Sequence, residues 1–510
     1  MHDLKDTNNF KFTNTPIKRD IDIYVYIICN KLKENIKIIS KKHGIKKIPK
    51  KLFDCNIDTN NDKNNDKNND LLESFEKRFY TDDYEIIFIG ISENKKCSNE
   101  TLYEVMGKLG KRMHNENHSN IDIKNRNILI NLVGDDLLVI KNQVVSYILG
   151  YYEFTDLKSS SIKKLKTKNR GLIYFYHKKK KFQKDIENFI YEACIQNELR
   201  SLINIPANIL TSEVYTKHIK KNLQSDIKIT ALSEKQLKKL GCNLILGVNA
   251  GSKNPPIMLV LEYGKKMSGN KTVALIGKGV MFDSGGYNLK HGNFSDMKND
   301  MTGSAIVYGV FRLLSQMKVK GHFIGLLPLV ENMVSSDAIR PGDILTAYNG
   351  KTVEITDTDA EGRLIMADAM AYSSKYKPDI CIDIATLTGQ AVHIFDSKSS
   401  VIMGNNNKYI QLMIQKGIEN NEKIWELPMW KEYIDLTKSQ IADYKNYTFE
   451  SKAGTIMAGA FLSNFIPDKT NWLHLDIAGV DNLKYGSVMR NYGATAEIMR
   501  SIFDFVRLYH

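Results

Sequence analysis

The sequence predicts an α/β protein of two domains, and three observations lead to that prediction. Short apolar, strand-like runs alternate with longer stretches whose apolar residues recur at helical spacing. The chain has 510 residues, 42% of them hydrophobic, which is enough for more than one buried core. An isolated helical pattern over 186–202 separates two such series. We therefore expect a smaller N-terminal α/β domain over 1–185, a linking helix over 186–202 and a larger C-terminal domain over 203–510.

The N-terminal domain is predicted to alternate strands and helices around a polar insert. Strand patterns cover Ile21–Ile28, Glu85–Ile91, Ile128–Val133 and Gly171–Tyr176, and helical patterns cover Glu100–His114 and Lys141–Tyr151. Residues 56–70 read N-I-D-T-N-N-D-K-N-N-D-K-N-N-D and have almost no apolar side chain to bury. We therefore expect this Asn/Asp/Lys repeat to be a disordered surface insert.

The C-terminal domain is predicted to contain a mixed, mostly parallel sheet flanked by helices. Strand patterns cover Met258–Tyr263, Thr272–Ile276, His322–Leu329, Asp379–Ala385 and Trp472–Ile477, and helical patterns cover Asp300–Met317, Gly362–Lys375, Gly454–Phe465 and Thr495–Leu508. Asn349-Gly350 between two apolar runs indicates a β-hairpin. In sheets of this kind, ligands bind beyond the carboxyl ends of the strands, so we look for a site there.

Charge and cysteine content exclude several classes of protein. Lys and Arg number 72 against 58 Asp and Glu, a surplus best interpreted as a solvated, Lys-rich surface. Because no helix-turn-helix or basic, aromatic-interleaved pattern accompanies it, we expect no nucleic-acid partner. None of the six cysteines forms a C-x-x-C pair, so neither a disulfide framework nor a zinc knuckle is predicted. The first residues lack an apolar signal segment, and we expect a cytoplasmic protein with no membrane partner.

Three segments of the C-terminal domain contain the residues best suited to metal binding and catalysis. Residues 277–290 read G-K-G-V-M-F-D-S-G-G-Y-N-L-K, residues 297–305 read M-K-N-D-M-T-G-S-A, and residues 357–364 read D-T-D-A-E-G-R-L. Together they supply Lys278, Asp283, Lys290, Asp300, Asp359, Glu361 and Arg363. Four carboxylates in one cleft would repel each other unless a positive charge held them. Two divalent cations roughly 3.5–4 Å apart would do so and would form a hydrolytic site.

The lysines and the arginine need separate interpretations. Lys278 would bind a cation only after losing its proton, which a nearby dication favours. Lys290 would stay protonated and polarise a carbonyl group. Gly279 follows Lys278, so the G-K-G segment does not meet the phosphate-loop pattern. Arg363 cannot accept a proton at working pH, and no side-chain base is evident beside it, so the general base stays open.

These motifs resemble those of the leucyl (cytosol) aminopeptidase family. The family's N-T-D-A-E-G-R-L occurs here as D-T-D-A-E-G-R-L, with Asp357 in place of the Asn, and its G-K-G-x-x-F-D-S-G-G-x-x-x-K occurs unchanged. Further matches are N-I-P-A-N at 204–208, A-T-L-T-G at 385–389 and H-L-D-I-A-G at 474–479. The resemblance covers about residues 195–505 and implies a metallopeptidase domain there.

The resemblance implies a role for each matching residue. One metal ion would be bound tightly by Lys278, Asp283, Asp300 and Glu361, and a more exchangeable one by Asp283, Asp359 and Glu361. Lys290 and Arg363 would be catalytic, with a bicarbonate bound near Arg363 acting as general base. The substrate would contact Lys290, Thr386, Leu387 and Gly389. The cofactors implied are two divalent metal ions per subunit, zinc in type, with manganese as an alternative at the exchangeable site.

The activity implied is release of N-terminal amino acids, leucine-like ones preferred, from short peptides by attack of a metal-bridging hydroxide. The family also implies a homohexamer. Met301 to Ser304 is bulkier than the family's usual small-residue run near the first side-chain pocket, which bears on that preference. The alternatives are a two-metal phosphoesterase, a nucleic-acid-binding regulator and an inactive homologue, of which the last conflicts with seven intact key positions. His474, within a strand pattern, is interpreted as a core histidine.

Overall fold

The computed structural model describes residues 10–13, 21, 23–28, 39, 74–80, 85–91, 99–119, 127–159, 172–267, 269–487 and 490–509. The predicted insert at 56–70 lies outside these residues. The chain divides into two units, Met1–Cys194 with Ser487–Asn491 and Ile195–Gly486 with Tyr492–His510. The division falls inside a helix, Gln183–Asn204, which contains the predicted linking segment. Within the described residues, no helix has the length and apolar character needed to cross a membrane.

The N-terminal unit is built on one six-stranded sheet. Its strands are β1 (Phe10–Thr13), β2 (Ile23–Ile28), β3 (Ser74–Tyr80), β4 (Glu85–Ile91), β5 (Ile128–Asn131) and β6 (Ile173–Tyr176), and its helices are α1 (Asn99–Ser119), α2 (Leu137–Tyr151) and the first half of α3 (Gln183–Asn204). The strand order is β1-β6-β5-β2-β4-β3, and every pair is parallel except β3 with β4. The central strands are apolar because helices cover a parallel sheet on its faces.

The four strands predicted in this unit are present, whereas β1 and β3 were not predicted. Both lie at the edges of the sheet. Their sequences, F-K-F-T and S-F-E-K-R-F-Y, include charged residues that edge strands commonly carry and that weaken an apolar strand pattern.

The C-terminal unit contains a larger, nine-stranded sheet and two small ones. The strands of the unit are β7 (Ile227–Leu232), β8 (Ile257–Gly264), β9 (Thr272–Gly277), β10 (Gly279–Asp283), β11 (His322–Asn332), β12 (Ile344–Thr346), β13 (Thr352–Glu354), β14 (Ile380–Ala385), β15 (Ser400–Gly404), β16 (Ile424–Glu426), β17 (Tyr444–Lys445), β18 (Asn471–Asp476), β19 (Asn482–Leu483) and β20 (Gly493–Ala494). The two small sheets are β12-β13-β17 and β19-β20. The helices of the unit after α3 are α4 (Ser212–Asn222), α5 (Glu234–Leu240), α6 (Asn243–Asn249), α7 (Thr302–Gln316), α8 (Gly362–Ser373), α9 (Gly389–Phe395), α10 (Asn407–Glu419), α11 (Lys431–Asp435), α12 (Gly454–Ser463) and α13 (Met499–Val506).

The main sheet is mixed and mostly parallel, as predicted. Its order is β16-β15-β18-β14-β9-β11-β8-β7, with β10 also paired to β11. The pairs from β18 through β14 and β9 to β11 are parallel, while β8 and β7 are added antiparallel at one edge. Successive residues Val273 to Ile276 of β9 are all fully buried, so both faces of the sheet are covered. The predicted hairpin is present, since β12 and β13 pair antiparallel around Asn349-Gly350.

Two local features bring loops to the carboxyl ends of these strands. After β10 the chain turns sharply at Gly285 and Gly286, whose φ values of +88° and +63° favour glycine. Asp300, predicted to open a helix, instead follows a 3₁₀ turn over Ser295–Asn299, and α7 begins at Thr302. That turn, absent from the predicted pattern, places the Asp300 side chain ahead of the helix rather than on its surface.

Candidate metal centre

The site lies where β10, β11 and the segment before α8 meet. Asp283 is the last residue of β10 and is paired in register with Asn332, the last residue of β11. Asp359 and Glu361 immediately precede α8. Because parallel strands end at the same edge of a sheet, residues far apart in sequence converge there.

Three carboxylates form the centre of the site. One ligand oxygen from each of Asp283, Asp359 and Glu361 lies within 4.8 Å of the other two. Asp283 and Glu361 are buried, with 2% and 1% of their surface exposed, and Asp359 is partly exposed. Among the described residues, no other group of three His, Cys, Asp or Glu side chains meets at this distance.

Lys278 joins Asp300 to this centre. It lies between β9 and β10, and its Nζ is 2.7 Å from Asp300 Oδ1 and 2.9 Å from Glu361 Oε1. Gly362 makes room for it, because a Cβ there would lie 2.4 Å from Lys278 Cε. Burial lowers the pKa of Lys278, but the charges of Asp300, Glu361 and Asp283 outweigh burial and hold that pKa above its usual value. Without a cation, this side chain is therefore an ammonium group.

Lys290 contacts a different pair of acids in the centre. Its Nζ is 2.7 Å from Asp283 Oδ2 and 2.5 Å from Asp359 Oδ1. Burial lowers its pKa, while the charges of Asp283, Glu361 and Asp359 raise that pKa by more. One-fifth of the side chain stays exposed, so it faces the open side of the site.

The pKa shifts of the acids indicate how far the negative charge of the cluster is compensated. Burial, with the neighbouring carboxylates, raises the pKa of Asp283 and raises that of Asp359 to about 7. Burial also raises the pKa of Asp300 well above its usual value. For Glu361, burial is outweighed by Lys278 and Lys290, and its pKa is lowered. Two lysines thus offset only part of the charge of four clustered acids.

Unpaired atoms and donor chemistry indicate what is needed to complete the site. Within the described part of the chain, Asp300 Oδ2 and Arg363 Nε are buried without a hydrogen-bond partner. Carboxylate oxygens are suitable ligands for zinc, manganese and magnesium, and dications would supply the missing positive charge. The residues present therefore fit a divalent metal centre.

Arg363 lies in the first turn of α8, two residues after Glu361. Its Nη1 donates to Asn446 O at 2.8 Å, and its guanidinium lies 5.8 Å from the centre of the Tyr447 ring. The residue is buried. With Nε unpartnered among the described residues, this cation retains a donor for a small anion.

The predicted substrate residues follow β14. Thr386 Oγ1 donates to Asp300 Oδ1 at 2.7 Å, and Thr386 O accepts from Lys278 Nζ at 3.0 Å. Leu387 N donates to Asp476 Oδ1 at 3.1 Å. A Cβ placed on Gly389 would meet no atom within 4 Å, so the space beside it is open. The loop is thus fixed at one end and borders free space at the other.

Sequence reasoning assigned no role to two residues that shape the site. Asn332 Nδ2 donates to Asp283 Oδ1 at 2.8 Å and to Thr358 O at 3.0 Å, which connects the two acidic segments. Asp476 accepts from Leu387 N and from the Thr388 hydroxyl. Each of them is a polar residue at the end of an apolar strand, and this feature of the sequence could have identified them as residues of the site.

His474 is fully buried in β18, and its Nδ1 lies 2.6 Å from Asp383 Oδ1. This pairing within the sheet agrees with the interpretation of His474 as a core histidine rather than a ligand.

Comparisons with known proteins identify the family. Residues 197–503 match the family model described as "Cytosol aminopeptidase family, catalytic domain". The chain is 36% identical over 380 residues to a probable cytosol aminopeptidase of Chlorobaculum tepidum, covering 70% of this chain and 73% of that protein. It is 38% identical over 347 residues to a probable cytosol aminopeptidase of Phytoplasma mali, covering 67% and 69%.

A solved structure extends the likeness in fold along nearly the whole chain. The bottromycin maturation enzyme BotP in complex with Mn superposes with a TM-score of 0.78 at 22% identity, covering 96% of this chain and 99% of that one. The match to the family model takes in more than half of the chain and includes every residue of the carboxylate centre. The chain therefore belongs to the cytosol aminopeptidase family and is a metal-dependent aminopeptidase.

Proposed function

We propose that this chain removes N-terminal amino acids, leucine-like ones preferentially, from short peptides with the help of two divalent cations. The observation that carries the proposal is the convergence of Asp283, Asp359 and Glu361 within 4.8 Å, flanked by two lysines. In this assignment, Lys278, Asp283, Asp300 and Glu361 hold one cation, and Asp283, Asp359 and Glu361 hold the other. Cations held by these residues would activate water as the nucleophile and polarise the scissile carbonyl.

The remaining roles belong to groups of the chain itself. The ammonium group of Lys290, which is partly exposed, is proposed to stabilise negative charge that develops on the carbonyl oxygen of the substrate. Arg363, a buried cation whose Nε has no hydrogen-bond partner among the described residues, is proposed to bind a bicarbonate that acts as general base. The backbone around Thr386, Leu387 and Gly389 is proposed to line the peptide groove.

The identity of the cations forms part of the same proposal. We assign zinc, with manganese as the alternative at the Asp359 site, because oxygen ligands accept both ions. The manganese complex of BotP, a protein of similar fold, supports testing manganese first. Activity of the metal-free protein reconstituted with each ion, across a panel of aminoacyl arylamides, would establish both the metal and the preferred N-terminal residue. A panel in which leucine-like substrates are not favoured would contradict the stated preference.

Substitution of Asp359 or Glu361 by Ala tests the site directly. Each change should abolish hydrolysis of leucyl arylamide while the protein keeps its fold by circular dichroism. An aryl phosphate assayed in parallel distinguishes the phosphoesterase alternative. Full turnover of the arylamide by either variant, or hydrolysis of the phosphate alone by the wild type, would refute the proposal.

We further propose, from the family resemblance, a cytoplasmic homohexamer that acts on short peptides without a membrane or nucleic-acid partner. Light scattering coupled to size-exclusion chromatography should give six times the 58.2 kDa chain mass. A gel shift with DNA that persists at physiological salt would contradict the absence of a nucleic-acid partner.

A further inference from the structure

The hydroxyl group of Thr386 lies inside the candidate metal centre. Oγ1 donates to Asp300 Oδ1 at 2.7 Å, while the backbone carbonyl of the same residue accepts from Lys278 Nζ at 3.0 Å. Only 9% of Thr386 is exposed. Two different groups of one residue thus contact two of the proposed ligands of the same cation.

The two carboxylate oxygens of Asp300 have different surroundings. Oδ1 contacts both the Thr386 hydroxyl and Lys278 Nζ, each at 2.7 Å. Oδ2 is buried and has no hydrogen-bond partner among the residues that the structure describes. A hydrogen bond on one oxygen restricts rotation of a carboxylate and fixes the direction of the other oxygen.

We infer that Thr386 is a positioning residue, whose hydroxyl holds Oδ1 of Asp300 so that Oδ2 is presented to the cation bound with Lys278. The inference rests on the proposed two-metal function and deepens it, since it assigns the side chain of Thr386 to metal binding. Lining of the substrate groove needs only the backbone of this residue. Loss of such an outer hydrogen bond typically weakens metal binding by about 10–100-fold.

The test compares Thr386→Val with Thr386→Ser. Valine keeps the β-branched shape and the backbone carbonyl but removes the hydroxyl, whereas serine keeps the hydroxyl and removes the methyl group. Binding of Mn²⁺ and Zn²⁺ to the metal-free full-length chain would be measured by calorimetry, with the bound metal counted after dialysis. We expect two cations in the wild type, and in Thr386→Val about 10–100-fold weaker binding of one of them only. Thr386→Ser should bind both within about threefold of the wild type, by the same reasoning.

Thr388→Val is the matched control in the same loop. The Thr388 hydroxyl donates to Asp476 Oδ2 at 2.6 Å, an acid outside the metal centre. The same loss of a hydroxyl there should leave both cation affinities unchanged. Thermal unfolding of the metal-free proteins verifies that each variant folds, and Thr386→Ala, which also lacks the hydroxyl, replaces Thr386→Val if the valine variant does not fold.

The outcomes separate this inference from the function on which it rests. Wild-type affinity for both cations in the variants without the Thr386 hydroxyl would overturn the inference and leave the proposed function intact. Equal weakening in Thr386→Ser or in Thr388→Val would also overturn it, because loop packing would then be the cause. Fewer than two cations bound to the wild type would overturn the proposed function itself.

Discussion

The two units of this chain share an α/β architecture, but the acidic residues that follow their strands differ in hydrogen-bond partners and in exposure to water. In the N-terminal unit, Asp135 and Asp136 follow β5. Asp136 caps α2, accepting from Leu138 N at 2.8 Å and Val139 N at 3.1 Å. Asp135, half exposed, pairs with Lys179 at 2.7 Å. Local partners and water therefore satisfy both acids.

In the C-terminal unit, the acids at the corresponding edge face one another, and all of them except the partly exposed Asp359 are buried. Asp283, Asp359 and Glu361 converge from segments up to 78 residues apart in sequence, and Asp300 keeps an unpartnered oxygen among the described residues. The difference indicates that an acid after a strand becomes a candidate ligand when burial removes water and local backbone donors leave at least one of its oxygens to other partners.

Removal of divalent cations should have the largest effect and should affect one unit only. A chelator is expected to lower kcat/KM for leucyl arylamide by roughly a thousandfold or more, because bound cations contribute several kcal/mol of transition-state stabilisation. Hydrogen exchange measured on the same samples should increase around Asp283 and Glu361 and stay constant around Asp136. Increased exchange around Asp136 would break the comparison.

Gly362→Ala should be next in size. The new Cβ would lie 2.4 Å from Lys278 Cε and would displace the lysine from both of its carboxylate partners. We expect cation binding roughly 100-fold weaker, together with a loss of about 1–3 kcal/mol in the free energy of unfolding.

Gly150→Ala in the N-terminal unit is the matched control. Its Cβ would lie 2.1 Å from Gly107 O, in the contact between α1 and α2. This variant should lose stability in denaturant unfolding and keep its affinity for cations. Weaker cation binding in Gly150→Ala would show that the effect of the added methyl group is not specific to the site.

Asp368→Asn tests a buried acid of the C-terminal unit that backbone donors from other segments do satisfy. Its side chain accepts from Leu244 N, Ile245 N and Tyr348 N at 2.8–3.0 Å. Replacing an oxygen with an amide group should cost about 2–4 kcal/mol in urea unfolding without changing the number of cations bound. The exposed Asp468 provides the control, since Asp468→Asn should leave the unfolding free energy within about 0.5 kcal/mol.

Apart from the control substitutions, Asp136→Ala should have the smallest effect. Loss of the helix cap is expected to cost about 1 kcal/mol, seen as a lower denaturant midpoint of the N-terminal unit. Hydrolysis of leucyl arylamide and cation binding should not change. A loss of activity greater than about twofold would contradict the view that this acid is purely structural.

The pattern of apolar runs predicted the central strands of both sheets, because a buried strand needs apolar residues whatever its neighbours. The pattern did not predict β1, β3, β7 or β15, which lie at or near sheet edges or are short. Nor did it predict the 3₁₀ turn before Asp300, since nothing in M-K-N-D distinguishes that turn from the first turn of a helix.

The sequence predicted which residues form the site, but it did not predict the contacts between their side chains. Glycine-rich and acidic segments indicated a metal centre and its residues from Lys278 to Arg363. The hydrogen bond of Asn332 to Asp283 and that of Thr386 to Asp300 depend on the alignment of strand ends across the sheet. No local spacing encodes that alignment.

The sequence by itself determined the fold class, the acidic and basic residues available for chemistry, and the family to which they belong. The tertiary structure decided which carboxylate oxygens accept hydrogen bonds from other segments and which acids are buried away from water. The physical reason is that hydrogen bonding and burial are properties of atoms brought together from distant segments, whereas the sequence states only which atoms exist.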